Sequence, residues 1–133
     1  MVTTYFKQLL AQKMFCVSGS YSLPSKVWLG LSTSTPTAAG GATEPASGRG
    51  YARLDLSNKL SYDGTNAYIY NNTVLQFGEA TNSWGTVTHY TIYDAQTSGH
   101  LLAYGQLTSS KSIVVGDIPR VAQNALQISI TDS

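Results

Sequence analysis

The stretch W-G-T-V-T-H-Y-T-I-Y-D-A-Q-T-S-G-H-L-L-A-Y-G-Q-L, residues 84–107, decides the fold. Its first part, Thr86–Asp94, is dense in β-branched and aromatic residues, the types that suit a pleated surface. Ala95–Gly99 is a polar loop in which Gly99 can turn with positive φ at low cost, and Leu101–Leu107 resumes as a second strand. Alternation sets Val87 and Tyr93 against Tyr90 and Ile92. It sets Leu101, Ala103 and Leu107 against Leu102 and Tyr104. Strands that are apolar on both faces are covered on both faces. The reading is a hairpin at the middle of the fold with a layer on each side.

Working upstream, Trp84-Gly85 pairs an aromatic that plugs the sheet end with a glycine that turns the chain. Thr73–Phe77 reads as a strand with Leu75 and Phe77 inward, and Asp63-Gly64 as a tight turn flanked by Tyr62, Tyr68 and Tyr70 on a wet two-stranded segment. Tyr51–Leu56 reads as a strand with Ala52, Leu54 and Leu56 inward and Arg53 and Asp55 outward. Before it, Ser32–Gly50 has four glycines, two prolines and no large apolar residue. A connection that long is functional or disordered, and the expectation is an arm that orders on contact with a neighbour.

Lys26–Leu31 is a further strand, with Val27, Leu29 and Leu31 inward and Trp28 outward. Val2, Phe6, Leu9, Leu10 and Met14 recur at helical spacing, with Thr3 or Thr4 placed to cap the helix and Gly19 to end the segment. Such a short helix must dock, and the outer face of the hairpin needs cover. Downstream, Ser112–Val115 reads as a strand and Pro119 as an edge or bend. Ala125–Thr131 alternates Leu126, Ile128 and Ile130 against Gln127 and Ser129.

The chain is thus expected to be mainly β: one domain over residues 1–133, an antiparallel sandwich or partly closed barrel. It has about seven to eight strands, a single short N-terminal helix at about 3–15 and the loop at about 32–50. Its 133 residues suffice for a real core, and 42% of them are hydrophobic. Only 11% are charged, against roughly 25% in ordinary soluble domains, and hydroxyl and amide residues fill the gap. A net charge of +1 leaves no footprint for nucleic acid. No apolar run is long enough to span a membrane as a helix, and Lys7, Gln8, Gln12 and Lys13 interrupt any secretory segment, so synthesis in the cytoplasm is expected. Cys16 is the only cysteine and is expected as a small buried thiol.

The ionisable residues Glu44, Asp55, Asp63, Glu79, Asp94, Asp117 and Asp132 fall mostly at turns, where carboxylates brace the bend. His89 and His100 could approach across the hairpin beside Asp94, yet two histidines without ligand spacing are weak evidence for a metal. A structural His89, bonded to backbone or a tyrosine, is expected. Gly40-Gly41 and Gly48-Arg49-Gly50 do not join a strand to a helix and so are not phosphate loops. Asn71-Asn72-Thr73 is a glycosylation sequon by chance. Nine tyrosines could stack on sugars, although tyrosines in β proteins are more often cross-strand partners. No catalytic, cofactor or metal site is expected, and the chain is not read as an enzyme.

Five ordered blocks carry a resemblance: V-W-L-G-L-S-T-S-T-P-T-A-A-G-G-A-T-E (27–44), G-R-G-Y-A-R (48–53), W-G-T-V-T-H-Y-T-I-Y-D (84–94), G-H-L-L-A-Y-G-Q-L (99–107) and K-S-I-V-V-G-D (111–117). Together with the N-terminal helix they resemble the small virion proteins of tailed bacteriophages, of the tail-fibre and head-fibre kind. Trp28 and Tyr90-Thr91 differ in size from the residues usual at those places. The resemblance implies a structural protein on the particle exterior. With no shaft or repeat visible in the sequence, a capsid decoration or cement protein is preferred, with a fibre adhesin that takes a host-surface glycan as the alternative. Its partners would be the major capsid protein or other virion proteins, and further copies of itself in a trimer or another ring. Thr35, Pro36, Gly40, Gly41, Glu44, Pro45, Arg49 and Arg53 are the residues expected to make those contacts.

Overall fold

The β-branched and aromatic run at the centre forms its hairpin where the sequence places it. In the computed structural model, which describes residues 1–129, β6 (Gly85–Tyr93) and β7 (Leu101–Ile113) pair antiparallel around a short loop. The other elements are α1 (Thr4–Met14), β1 (Trp28–Ser32), β2 (Leu54–Asp55), β3 (Leu60–Asp63), β4 (Tyr68–Asn71), β5 (Leu75–Gln76), β8 (Arg120–Val121) and β9 (Gln127–Ser129). They make three antiparallel sheets, ordered β2-β1-β6-β7, β3-β4-β9 and β5-β8. Leu29, Leu31, Val87, Ile92, Leu102 and Ala103 of the first sheet share one core with Leu75 and Phe77 beside the third and Leu126 beside the second. The fold is mainly β, as expected; no barrel closes among the described residues.

Both hairpin faces are covered. Leu29, Ile92 and Ala103 form one row across the sheet and enter the core, while Tyr93 and Leu101, also buried, lie on the opposite side. Strict alternation in β7 does not hold, however. Tyr93 pairs with Leu101 and Ile92 with Ala103, so Leu102 is an extra residue. This bulge puts Leu101 and Ala103 on opposite faces, where the sequence pattern had them together.

β7 also runs farther than its apolar pattern. Lys111–Ile113 pairs with Gly85–Val87, carrying the strand through the polar Thr108–Ser112. Ladder bonds are made by backbone, so a polar segment can extend them. The separate strand expected at Ser112–Val115 is therefore absent, and Val114 and Val115 lie exposed past the strand end.

Thr3 caps the helix: its hydroxyl accepts from Phe6 N at 3.2 Å and donates to Leu101 O at 2.6 Å, and its backbone N–H donates to Leu102 O at 2.9 Å. One side chain thus fixes both the helix start and its attachment to β7. Val2 and Leu9 are buried, but Met14, the last residue of α1, is 68% exposed. Cys16 is exposed rather than buried: the helix has ended, and Cys16 takes a positive φ of 56° in the turn that leaves it.

The strand expected at Tyr51–Leu56 is reduced to β2; Leu56 is buried as expected, but the inside–outside order reverses at the start, with Ala52 exposed and Arg53 buried. β8 has no periodic signature in the sequence and forms by pairing with β5. In the last strand, Ile130 and Thr131 lie outside the described residues. Asn71, read as part of a chance sequon, is fully buried. Its amide donates to Thr73 O at 2.9 Å and Ala122 O at 2.7 Å, and its carbonyl oxygen accepts from Leu126 N at 2.9 Å. That one side chain holds the approach to β9 against β4. Replacing Asn71 with Ala leaves these buried groups unpaired and should lower stability by about 3 kcal/mol, read by urea unfolding.

Candidate functional site

The long loop after β1 supplies most of the expected contact residues, and it is built into the domain. Thr33 N donates to Thr43 O at 2.8 Å, Thr43 N to Ser32 Oγ at 3.2 Å, and Ser34 Oγ to Thr43 Oγ1 at 2.9 Å, which pins the two limbs together. Thr37 closes the tip: its N–H donates to Gly41 O and its hydroxyl accepts from Gly41 N at 3.1 Å. Thr4 N, at the helix start, donates to Ala38 O at 2.9 Å. The segment expected as an arm is thus hydrogen-bonded within its own chain, with serine and threonine hydroxyls supplying the loop's own partners.

Its far limb is fastened by a buried cation. Arg53 is 8% exposed and makes a bidentate pair with Glu44, at 2.6 Å from Nη2 to Oε1 and 3.0 Å from Nε to Oε2. Arg53 Nη1 donates to Ala95 O and Ser98 O, and the guanidinium lies over the Tyr93 ring at 3.4 Å. The fork geometry of arginine matches a carboxylate and the two carbonyls at once. Tyr51 completes the cluster by donating to Glu44 Oε2 at 2.5 Å and accepting from Leu31 N at 3.0 Å. β2 is too short to reach Leu31, so the Tyr51 hydroxyl serves the next rung of β1. Gly30 makes room for it, since a Cβ there would stand 2.8 Å from that hydroxyl and 2.6 Å from Thr91 Oγ1.

Burial would raise the Glu44 pKa, but the hydrogen bonds from Arg53 and Tyr51 outweigh it and hold the carboxyl below its ordinary value. Burial and the Glu44 bond push the Tyr51 hydroxyl far up. For Arg53, burial acts downward and Glu44 overrides it, raising the guanidinium pKa. The cluster is ionised, satisfied and inward-facing.

Of the eight residues singled out, Glu44 and Arg53 therefore meet each other, and Pro36 and Pro45 are buried. Arg49 works inside the domain too, donating to Ser83 O at 2.5 Å while its own carbonyl accepts from Trp84 Nε1 at 2.6 Å. Thr35 and Gly41 are exposed, and Gly40 is half-exposed beside open space. The histidines do not converge. His89 pairs with Gln106 and has Thr88 Oγ1 at 2.8 Å from its Nδ1, whereas His100 sits at the hairpin loop, 3.2 Å from Asp94 and stacked on Tyr5 at 3.9 Å. The hydroxyl of Thr88 thus takes the place of the backbone or tyrosine partner expected for His89. No group of three potential metal ligands occurs among the described residues.

What the loop-centred reading missed is exposed apolar surface. Phe15 is 78% exposed, and Met14, Val17 and Leu23 are each more than 60% exposed. Val74, Val114, Val115 and Ile118 form a second exposed apolar set. The run Met14-Phe15-Cys16-Val17, continuing past the helix end, was the available signal.

Residues 1–129 match the family described as podophage GP4 fiber I protein gp80. The chain belongs to this phage fibre family. No individually curated protein matches it. The resemblance to tailed-phage virion proteins read from the five blocks is thereby sustained over nearly the whole chain, and the family makes this a structural component of a phage particle. No helix among the described residues is long and apolar enough to cross a membrane.

The Glu44 pKa is lowered on folding, so its stabilisation is present above the unfolded value and disappears as pH falls through the folded one. Glu44→Gln, which strands a buried guanidinium, should cost about 3 kcal/mol at neutral pH. The gap from wild type should shrink once pH drops below the ordinary glutamate range, as paired denaturant titrations would read.

Proposed function

We propose that the chain is a non-catalytic fibre subunit of the phage particle, which packs on other virion proteins and on further copies of itself through the apolar surface beyond α1. The observation that carries this reading is the exposed set Met14, Phe15, Val17 and Leu23 at and beyond the end of α1. Large apolar side chains left exposed in one short segment are candidates for protein contacts. The low charge content agrees, because charged residues are depleted at interface cores. The exposed tip of the long loop, with Thr35 and Gly41, is a smaller second contact. Closed rings are the common outcome of such repeated contacts, and a trimer or another ring is the proposed assembly.

The family description as a fibre protein favours the fibre over the capsid-decoration role. Decoration or cementing of the outer head surface, against the major capsid protein, is the second reading. It is favoured by the globular build of the described residues, in which all three sheets share one core. Cryo-EM of the parent particle separates the two: density confined to the tail or to discrete fibres supports the first, and a coat over the head supports the second.

Phe15→Ser combined with Val17→Ser should leave the melting temperature of the isolated chain within a few degrees, since both sites are exposed. The same substitutions should sharply lower the number of copies per particle, measured by quantitative mass spectrometry. Wild-type incorporation would refute the proposed contact.

A further inference from the structure

Between the first and third sheets the packing stays open. The gap is a cavity of about 600 Å³, within the roughly 300–1,000 Å³ usual for small-molecule sites. Its floor is core: Leu31, Phe77, Val87, Ile113 and Leu126 are each no more than 6% exposed. Tyr90 forms part of the wall. It shares one row of the sheet with Leu31 and Gly105, and a Cβ on Gly105 would collide with its ring, so the ring lies against that glycine. The Tyr90 hydroxyl donates to Gln127 O at 3.1 Å, which fixes the wall in place. Next to it the ladder is interrupted: Leu107, Thr108, Ser109 and Ser110 of β7 stand against Thr88 alone.

The rim is charged. Lys111 pairs with Val87, and residues directly opposite each other share a face, so this lysine rises from the same side of the sheet as a buried core residue. Arg120 lines the cavity from the third sheet, its Nε donating to Gln76 Oε1 at 3.0 Å. Neither cation has a carboxylate at ion-pair distance among the described residues. Asp117, the one acidic residue of the lining, accepts from Val114 N at 2.9 Å and so braces its own turn. A lysine on the core side of an edge strand such as β7 also discourages pairing with a foreign strand. That role needs neither the hollow beside the lysine nor a second cation on the other wall. We infer that this cavity binds a single-chain aliphatic carboxylate, with the alkyl chain on the apolar floor and the head group at Lys111 and Arg120.

The two halves of such a ligand match the two halves of the cavity. An alkyl chain gains by leaving water and asks for no hydrogen bond, and the floor side chains have none to give. A carboxylate accepts several donors at once; the guanidinium supplies a fork of N–H groups and the ammonium a compact charge. A quaternary ammonium on the same chain would meet two cations and no free carboxylate, which selects against it. A short anion would reach the rim and leave the floor empty. None of the lining residues belongs to α1 or the segment after it, so the site goes beyond the assembly role.

Calorimetric titration of the full chain with decanoate below its micellar range tests the inference, with acetate and decyltrimethylammonium as controls. Saturable one-to-one binding of decanoate is expected, with decyltrimethylammonium weaker by roughly tenfold or more and no heat from acetate. Lys111→Gln combined with Arg120→Gln should weaken decanoate binding by about tenfold. Both side chains are exposed, so this variant should fold. The Phe15→Ser, Val17→Ser chain should bind decanoate as the wild type does, which keeps the ligand apart from the α1 surface. Absence of decanoate binding, equal binding of the ammonium, unchanged affinity in the Lys111 and Arg120 variant, or loss in the Phe15 and Val17 variant would each overturn it. Copy number per particle should stay at the wild-type value in the Lys111 and Arg120 variant, so this inference can fail without touching the proposed assembly role.

Discussion

A central hairpin that is apolar on both faces must be covered twice, and most of the architecture follows from that requirement. β6 and β7 present Ile92 and Ala103 on one side and Tyr93 and Leu101 on the other. The first side is met by Phe77, Leu75 and Leu126, brought in by short strands that belong to two other sheets. Near the second, the guanidinium of Arg53 lies over Tyr93, and Thr3 ties the start of α1 to the Leu101 carbonyl. Strands of two residues are too short to stand alone. They persist because each sits beside a side chain that the common core holds.

The cover over Tyr93 is unusual because it includes a charge. A buried guanidinium must find compensation, and Arg53 finds it in Glu44 and two hairpin-loop carbonyls. This couples three segments distant in sequence: the long loop, the strand after it and the loop of the central hairpin. It also changes the dynamics expected of residues 32–50. A glycine- and proline-rich connection would otherwise sample many conformations, but here both limbs are hydrogen-bonded and the far limb carries an ion pair. Little conformational freedom remains there for a partner to remove.

The main surface assigned to function consequently lies away from that loop, whose exposed tip at Thr35 and Gly41 is only a smaller contact. Apolar side chains past the end of α1 suit contact with other virion proteins.

The sequence by itself determined the β class, the central hairpin, the helix with its threonine cap, and the family. Each rests on information that is local: β-branched runs, i to i+3 and i+4 spacing, and ordered motif blocks. Tertiary structure alone decided the inside–outside order at Ala52 and Arg53, the bulge at Leu102, the role of Asn71, and the folding of the long loop onto its own domain. Each of these depends on a partner many residues away. Periodicity assigns a charged residue to solvent, and only the arrival of Glu44, Ala95 and Ser98 around Arg53 makes burial cheaper than hydration. The tyrosines show the same division. Their number was plain in the sequence, but only strand register set small or polar residues opposite Tyr68 and Tyr70.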